Sequence, residues 1–153
     1  MNPESIICPV NLQWQHRPYD ADQAYSDSKL SNLLFTFELQ RRLAAAGGTR
    51  RAIAVHPGMV RTNLFGHATG VQATLINVLG RVLTQDPEHC ARSTLFAVMG
   101  DVAGGSFVQP GGLAHLRGAP EVGRASSTAY GEPLARELWA LSARLTGVES
   151  GRA

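Results

Sequence analysis

Tyr25 and Lys29 stand four residues apart in the stretch AYSDSK, and Lys29 is the single lysine among 14 Lys+Arg positions. An arginine guanidinium is a wide planar fork that stays charged, whereas an ammonium is a compact point charge that fits beneath a neighbouring hydroxyl. On a helix, positions i and i+4 stack on one face, so a phenol and an ammonium at this spacing share one wall. A nearby cation favours the phenolate and draws a tyrosine pKa of roughly 10 toward the range in which acid/base work runs. Tyr25 is then a candidate to give a proton to, or take one from, a substrate oxygen. The remaining ammonium hydrogens of Lys29 are free for sugar hydroxyls.

A second constellation lies in His56-Pro57-Gly58-Met59-Val60-Arg61-Thr62. Pro57-Gly58 ends a short apolar run and frees backbone N–H and C=O groups, and the Thr62 hydroxyl follows. The place is the carboxyl end of an expected strand, where open α/β sheets bind their ligands.

Several elements must position these groups. Residues Ala24 to Ala46 carry Leu30, Leu33, Leu34 and Phe37 at helical spacing, with Gly47-Gly48 as a stop. Phe35, Leu39 and Leu43 widen that apolar face, which predicts burial against more than one neighbour. Arg51 to His56 reads as a buried parallel strand. Val71 to Leu83 is strongly amphipathic, and Asp86-Pro87-Glu88 opens a further helix running to Met99, with Asp86 as its cap and Pro87 at its first position. Gly105 to Val108 is expected as a second short strand stopped by Pro110-Gly111-Gly112, followed by an irregular loop from Gly111 to Ser127. Glu132 to Leu145 places Leu134, Leu138, Leu141 and Leu145 on a last helix ended by Gly147.

This alternation predicts an α/β fold, with a connection between the two strands long enough for a right-handed crossover. Two short parallel strands alone do not make a stable doubly wound sheet, because parallel strands need neighbours and cover on both faces. The sequence therefore predicts a partial doubly wound parallel sheet whose earlier strands are missing.

Composition narrows the function classes. The 153 residues are 44% apolar and 17% charged with a net charge of +2, which suits one folded domain rather than a disordered chain. The arginines are scattered, so there is no basic stripe for tracking nucleic acid. Cys8 and Cys90 lie far apart, and no Cys/His spacing suits a metal. No run spans a bilayer and the N-terminus does not read as a secretory signal, so the expectation is a cytoplasmic protein.

Tyr25-x-x-x-Lys29 opening a helix, followed by a strand ending in Pro57-Gly58-x-x-x-Thr62, resembles the C-terminal half of the short-chain dehydrogenase/reductase family. "AYSDSKLSNLLFTFELQRRL" and "LQWQHRPYD" resemble, more narrowly, the branch containing retinol dehydrogenases and protochlorophyllide reductases. The similarity covers Leu12 to Val148, so residues 12–148 are expected as a truncated domain of this kind, residues 1–11 as an irregular start and residues 149–153 as a tail.

The resemblance implies a Rossmann-type fold and the interconversion of an alcohol and a carbonyl with NAD or NADP. Tyr25 would be the catalytic acid/base, and Lys29 would lower its pKa and hold the nicotinamide ribose. Pro57, Gly58 and the Val60 backbone would contact the nicotinamide end, with Thr62 bonding its carboxamide or phosphate. The Val71 to Leu83 segment would correspond to the family's variable substrate-binding region and hints at a lipophilic alcohol or ketone.

The departures concern what precedes Tyr25. The family's glycine-rich phosphate turn after a first strand has no counterpart, and Gly100-x-x-x-Gly104-Gly105 precedes an expected strand rather than following one. The family's serine, thirteen residues before the tyrosine, is Leu12 here. Little or no dehydrogenase activity of this chain by itself is the consequence expected. The competing expectation is a non-catalytic remnant that serves as a protein-interaction or homo-oligomerisation module through the wide apolar face of its first helix.

Overall fold

The computed structural model describes Trp14, residues 18–58 and residues 87–148. The described elements are, in chain order, α1 (Ala21–Ala45), β1 (Ala54–Val55), α2 (Pro87–Met99), β2 (Phe107–Pro110), β3 (Pro120–Gly123) and α3 (Glu132–Thr146). Two compact units divide the chain, one formed by residues 1–54 with 125–153 and the other by residues 55–124.

In the first unit α1 begins at Asp20, whose carboxylate accepts the Gln23 backbone N–H at 2.8 Å and satisfies one of the free donors of the first turn. The helix starts three residues earlier than the apolar periodicity indicates, because Ala21 to Gln23 carry no apolar stripe and the cap alone marks the start. Its inward side buries Asp27, Leu34, Phe37 and Glu38. Two neighbours cover it, as the breadth of the apolar face predicts. Leu34 packs with Ala135 and Leu138 of α3, flanked by Leu30 and Leu134, while Phe35 stacks on Trp139 at 4.9 Å between ring centres. Phe37 stacks on Tyr130, in the short 3-10 turn Ser127–Tyr130, at 4.8 Å.

Buried Glu38 is held by charge-assisted bonds from the Nε of Arg41 at 2.9 Å and of Arg42 at 2.8 Å. The Arg42 guanidinium lies over the Trp139 ring at 4.5 Å, so one carboxylate couples the last turns of α1 to α3. Gly147 follows the end of α3, where the sequence places its stop.

The sheet has the order β1-β2-β3, with β2 and β3 in the second unit and β1 at the boundary residues 54 and 55. It is mixed: β1 and β2 pair in parallel, and β2 and β3 are antiparallel with Val108 opposite Val122 and Pro110 opposite Pro120. The His56 N–H donates to the Val108 carbonyl at 2.7 Å. α2 lies against β2 and β3 and buries Cys90, Ser93 and Ala97, while Val102 and Val108 are also fully enclosed.

Three sequence expectations need correction here. The first strand is two residues long rather than Arg51 to His56. The second is displaced toward the C-terminus, because Gly104-Gly105 forms a turn instead of a strand start. Gly105 has φ 79°, in the region glycine alone adopts freely, and the Ser106 N–H closes the turn on the Ala103 carbonyl at 3.3 Å. Pro110 is not the stop but the buried last residue of β2, and the segment Gly111 to Ser127 is not an irregular loop, since it contains a 3-10 turn at Leu113–His115 and the strand β3. The amphipathic segment Val71 to Leu83, the cap Asp86, residues 1–11 and residues 149–153 lie outside the described residues.

The whole is a partial Rossmann-like α/β fold, as the alternation of elements predicts, with an antiparallel third strand added to the parallel pair.

Candidate active site

Tyr25 and Lys29 sit in the first turns of α1, both exposed, on the side of the helix opposite buried Asp27. The spacing does what helical geometry dictates: the Lys29 Nζ lies over the Tyr25 ring, 5.1 Å from its centre. Tyr25 is 65% exposed and takes no part in the core that the helix builds on its other side. Asp27 is the residue that fixes this rotation. Its carboxylate accepts the Gln23 Nε2–H at 2.7 Å and its carbonyl accepts the Ser31 hydroxyl at 2.8 Å, turned toward the core, which leaves positions 25 and 29 facing outward. Sequence reading passed over Asp27; an acidic residue two positions before the lysine, at the i+7 spacing from buried Leu34, was the available signal.

In the other unit, Pro57 and Gly58 follow β1 at its carboxyl end. Gly58 has φ 82°, in the left-handed region that favours glycine. A side chain at Gly58 would strain this backbone. Val60 and Thr62 lie outside the described residues.

Sequence reading also missed what surrounds this segment. β1 and β2 run parallel, so the residues after each strand emerge at the same edge of the sheet. After β2, Ala114 (φ 51°) and His115 (φ 57°) are both left-handed without being glycine. Such a backbone costs on the order of 1–3 kcal/mol per residue and persists only where its surroundings fix it. Here the His115 Nδ1 lies 2.9 Å from the Nε2 of Gln109 and 3.2 Å from the Pro110 carbonyl, with a Glu121 carboxylate oxygen 4.0 Å away. His56, next to Pro57, is held below the usual imidazole range first by partial burial and second by the charge of His115.

The first unit thus presents an exposed ammonium and an exposed phenol on one helix, and the second, taken by itself, a left-handed glycine after a strand's carboxyl end. For the pyrophosphate of a dinucleotide, the described residues offer no glycine-rich turn between a strand and a helix, since Gly104-Gly105 turns into β2. Elsewhere in the first unit, Phe35, Trp139, Ser142, Ala143, Thr146 and Val148 line an apolar hollow of about 320 Å³ that includes neither Tyr25 nor Lys29.

No family model matches the chain. Among curated proteins it is 40% identical over 146 residues to human retinol dehydrogenase 13, covering 92% of this chain and 41% of that protein. It is 32% identical over 130 residues to human polyprenol dehydrogenase, covering 85% of this chain and 38% of that one. A crystal structure of an uncharacterized protein from Mycobacterium paratuberculosis superposes with a TM-score of 0.72 at 40% identity, over 95% of this chain and 47% of that chain. The chain thus spans about two-fifths of the length of the curated relatives it matches.

These relatives overturn the cytoplasmic expectation. Retinol and polyprenol, the alcohols in their names, are isoprenoid lipids that partition into bilayers, which sets such relatives at membranes. Among the described residues no helix is long and apolar enough to cross a membrane. That observation does not restore the expectation, because a chain matching two-fifths of its relatives carries no compartment signal in what it lacks. Sequence identity, the superposed fold and the tyrosine–lysine helix agree on one descent: the chain belongs to the short-chain dehydrogenase/reductase family.

Proposed function

We propose that the chain is the C-terminal part of an NAD(P)-dependent oxidoreductase that interconverts an alcohol and a carbonyl on a lipophilic substrate. The observation that carries this reading is the Lys29 ammonium set over the exposed Tyr25 ring, an arrangement that packing does not require. The family supports the chemistry, and the names of its retinol and polyprenol relatives support a lipophilic alcohol.

The bound cofactor supplies the hydride. Tyr25 gives a proton to the carbonyl oxygen in reduction and takes it from the hydroxyl in oxidation. Lys29 would hold the nicotinamide ribose through its ammonium hydrogens. Pro57, Gly58 and the backbone of Val60 would contact the nicotinamide end, and Thr62 would bond its carboxamide or phosphate. Residues 12–148 form the retained portion of the domain. Because removing a single oxyanion donor commonly costs about 3 kcal/mol of transition-state stabilisation, a chain with leucine at position 12 and no phosphate cradle among its described residues has little or no turnover by itself.

The alternative is a non-catalytic module, favoured by the apolar hollow beside Phe35 and Trp139, in which case the chain self-associates or docks a partner. Titration of the full chain with NADH and NADPH, followed by cofactor fluorescence alongside sedimentation, separates the two. Saturable cofactor binding that Lys29→Ala removes supports the oxidoreductase; self-association without cofactor binding supports the module.

A further inference from the structure

The loop from Gly111 to Ala119 is built around one side chain. Gln109 is buried, and the space its amide occupies exists because residue 123, opposite Phe107 across the hairpin, is glycine; a Cβ there would collide with the Gln109 side chain. The His115 ring is held at Nδ1, which lies 2.9 Å from the Gln109 Nε2. The Pro110 carbonyl and the Glu121 carboxylate also lie on the Nδ1 side. The Nε2 edge has no hydrogen-bond partner among the described residues, and the side chain is 54% exposed. Two successive left-handed residues, Ala114 and His115, are held in place to present that edge. It is presented where β2 ends, beside the end of β1, with half-buried His56 between the strand and Pro57-Gly58.

We propose that His115 is a ligand-binding residue, whose Nε2–H donates to an acceptor oxygen of a molecule seated at the carboxyl edge of the sheet. That oxygen is the carboxamide oxygen of a nicotinamide or the carbonyl oxygen of the substrate. The inference rests on the reading of Pro57-Gly58 as the nicotinamide end. A surface histidine with no such role has no need of a strained backbone, a buried glutamine brace and a glycine cleared for that brace. Strain concentrated at one polar side chain is where a ligand contact is expected.

The test uses the full chain labelled with 15N, titrated separately with NADH and with acetophenone, while the His115 Nε2 and the Gly58 amide are followed by NMR. The expected result is that one probe moves both signals and that His115→Ala weakens its binding about five- to tenfold, the size of one neutral hydrogen bond. The probe that does so identifies which oxygen is bound. His115→Asn, whose side chain tolerates the same left-handed backbone but lacks the reach, shows the same loss without disturbing the fold. If the Gly58 amide responds while both variants bind as the unaltered chain does, His115 has no part in binding and the reading of Pro57-Gly58 stands. If neither signal moves with either probe, both the inference and that reading are overturned.

Discussion

The Lys29 ammonium stands 5.1 Å from the centre of the Tyr25 ring, and neither residue is needed by the core that the same helix builds on its other side. Stability and site are therefore separable along α1. Substitutions on the inward side test the fold, and substitutions on the outward side test the chemistry.

Leu34 is fully buried among Ala135 and Leu138. Leu34→Ala is expected to lower the unfolding free energy by about 3 kcal/mol, through lost transfer energy and the cavity left behind. Urea denaturation followed by circular dichroism measures it, and a loss under about 1 kcal/mol would mean that α1 and α3 do not pack as described.

Asp20 caps α1 through the Gln23 N–H at 2.8 Å. Asp20→Ala is expected to cost about 1 kcal/mol, and Asp20→Asn much less, since an amide oxygen accepts the same bond. Thermal melts of the three proteins check the order; equal midpoints for alanine and asparagine would remove the cap from the account.

His56 is held below the ordinary imidazole value by partial burial and then by His115. Around and below a pH of about 6.5 the unfolded chain binds more protons at this position than the folded one, so stability falls as pH drops. The loss is complete once pH lies below the folded-state value. Urea midpoints at mildly alkaline and mildly acidic pH should differ more for the unaltered chain than for His56→Asn, and parallel pH profiles would contradict the assignment.

Ala114 at φ 51° carries a Cβ in a region that glycine occupies freely. Ala114→Gly is expected to be neutral or to stabilise by up to about 1 kcal/mol, the relief of strain being partly offset by a more flexible unfolded chain. Anywhere on a helix interior the same change destabilises, so a clear loss of stability would place Ala114 in another backbone state.

What the sequence made legible follows from how local each signal is. α1 and α3 announce themselves because Leu30, Leu34, Phe37 and Leu134, Leu138 repeat at the helical period, and helix periodicity is read within one element. β3 does not, because Glu121 and Val122 are both exposed and the strand exists by pairing with β2, a partner ten or more residues away. Pro110 misled for a related reason: a proline lacks an N–H, but as the last residue of β2 opposite Pro120 it forfeits little. In the site, the tyrosine–lysine pair and Pro57-Gly58 were legible as motifs. Asp27 and the Gln109–His115 brace were not, since their meaning lies in burial and in backbone angles that no spacing encodes.

The central claim is that Tyr25 and Lys29 act as one cofactor-linked pair, and a double-mutant cycle on cofactor affinity addresses it most directly. NADH dissociation constants would be measured for the unaltered chain, Tyr25→Phe, Lys29→Met and the double variant, all four first shown to melt alike, since both residues are exposed. The account predicts that each single change weakens binding and that the double variant is weaker by clearly less than the product of the two factors, because both residues serve one ligand. Binding that is unaffected by either change, or effects that multiply independently, would contradict it.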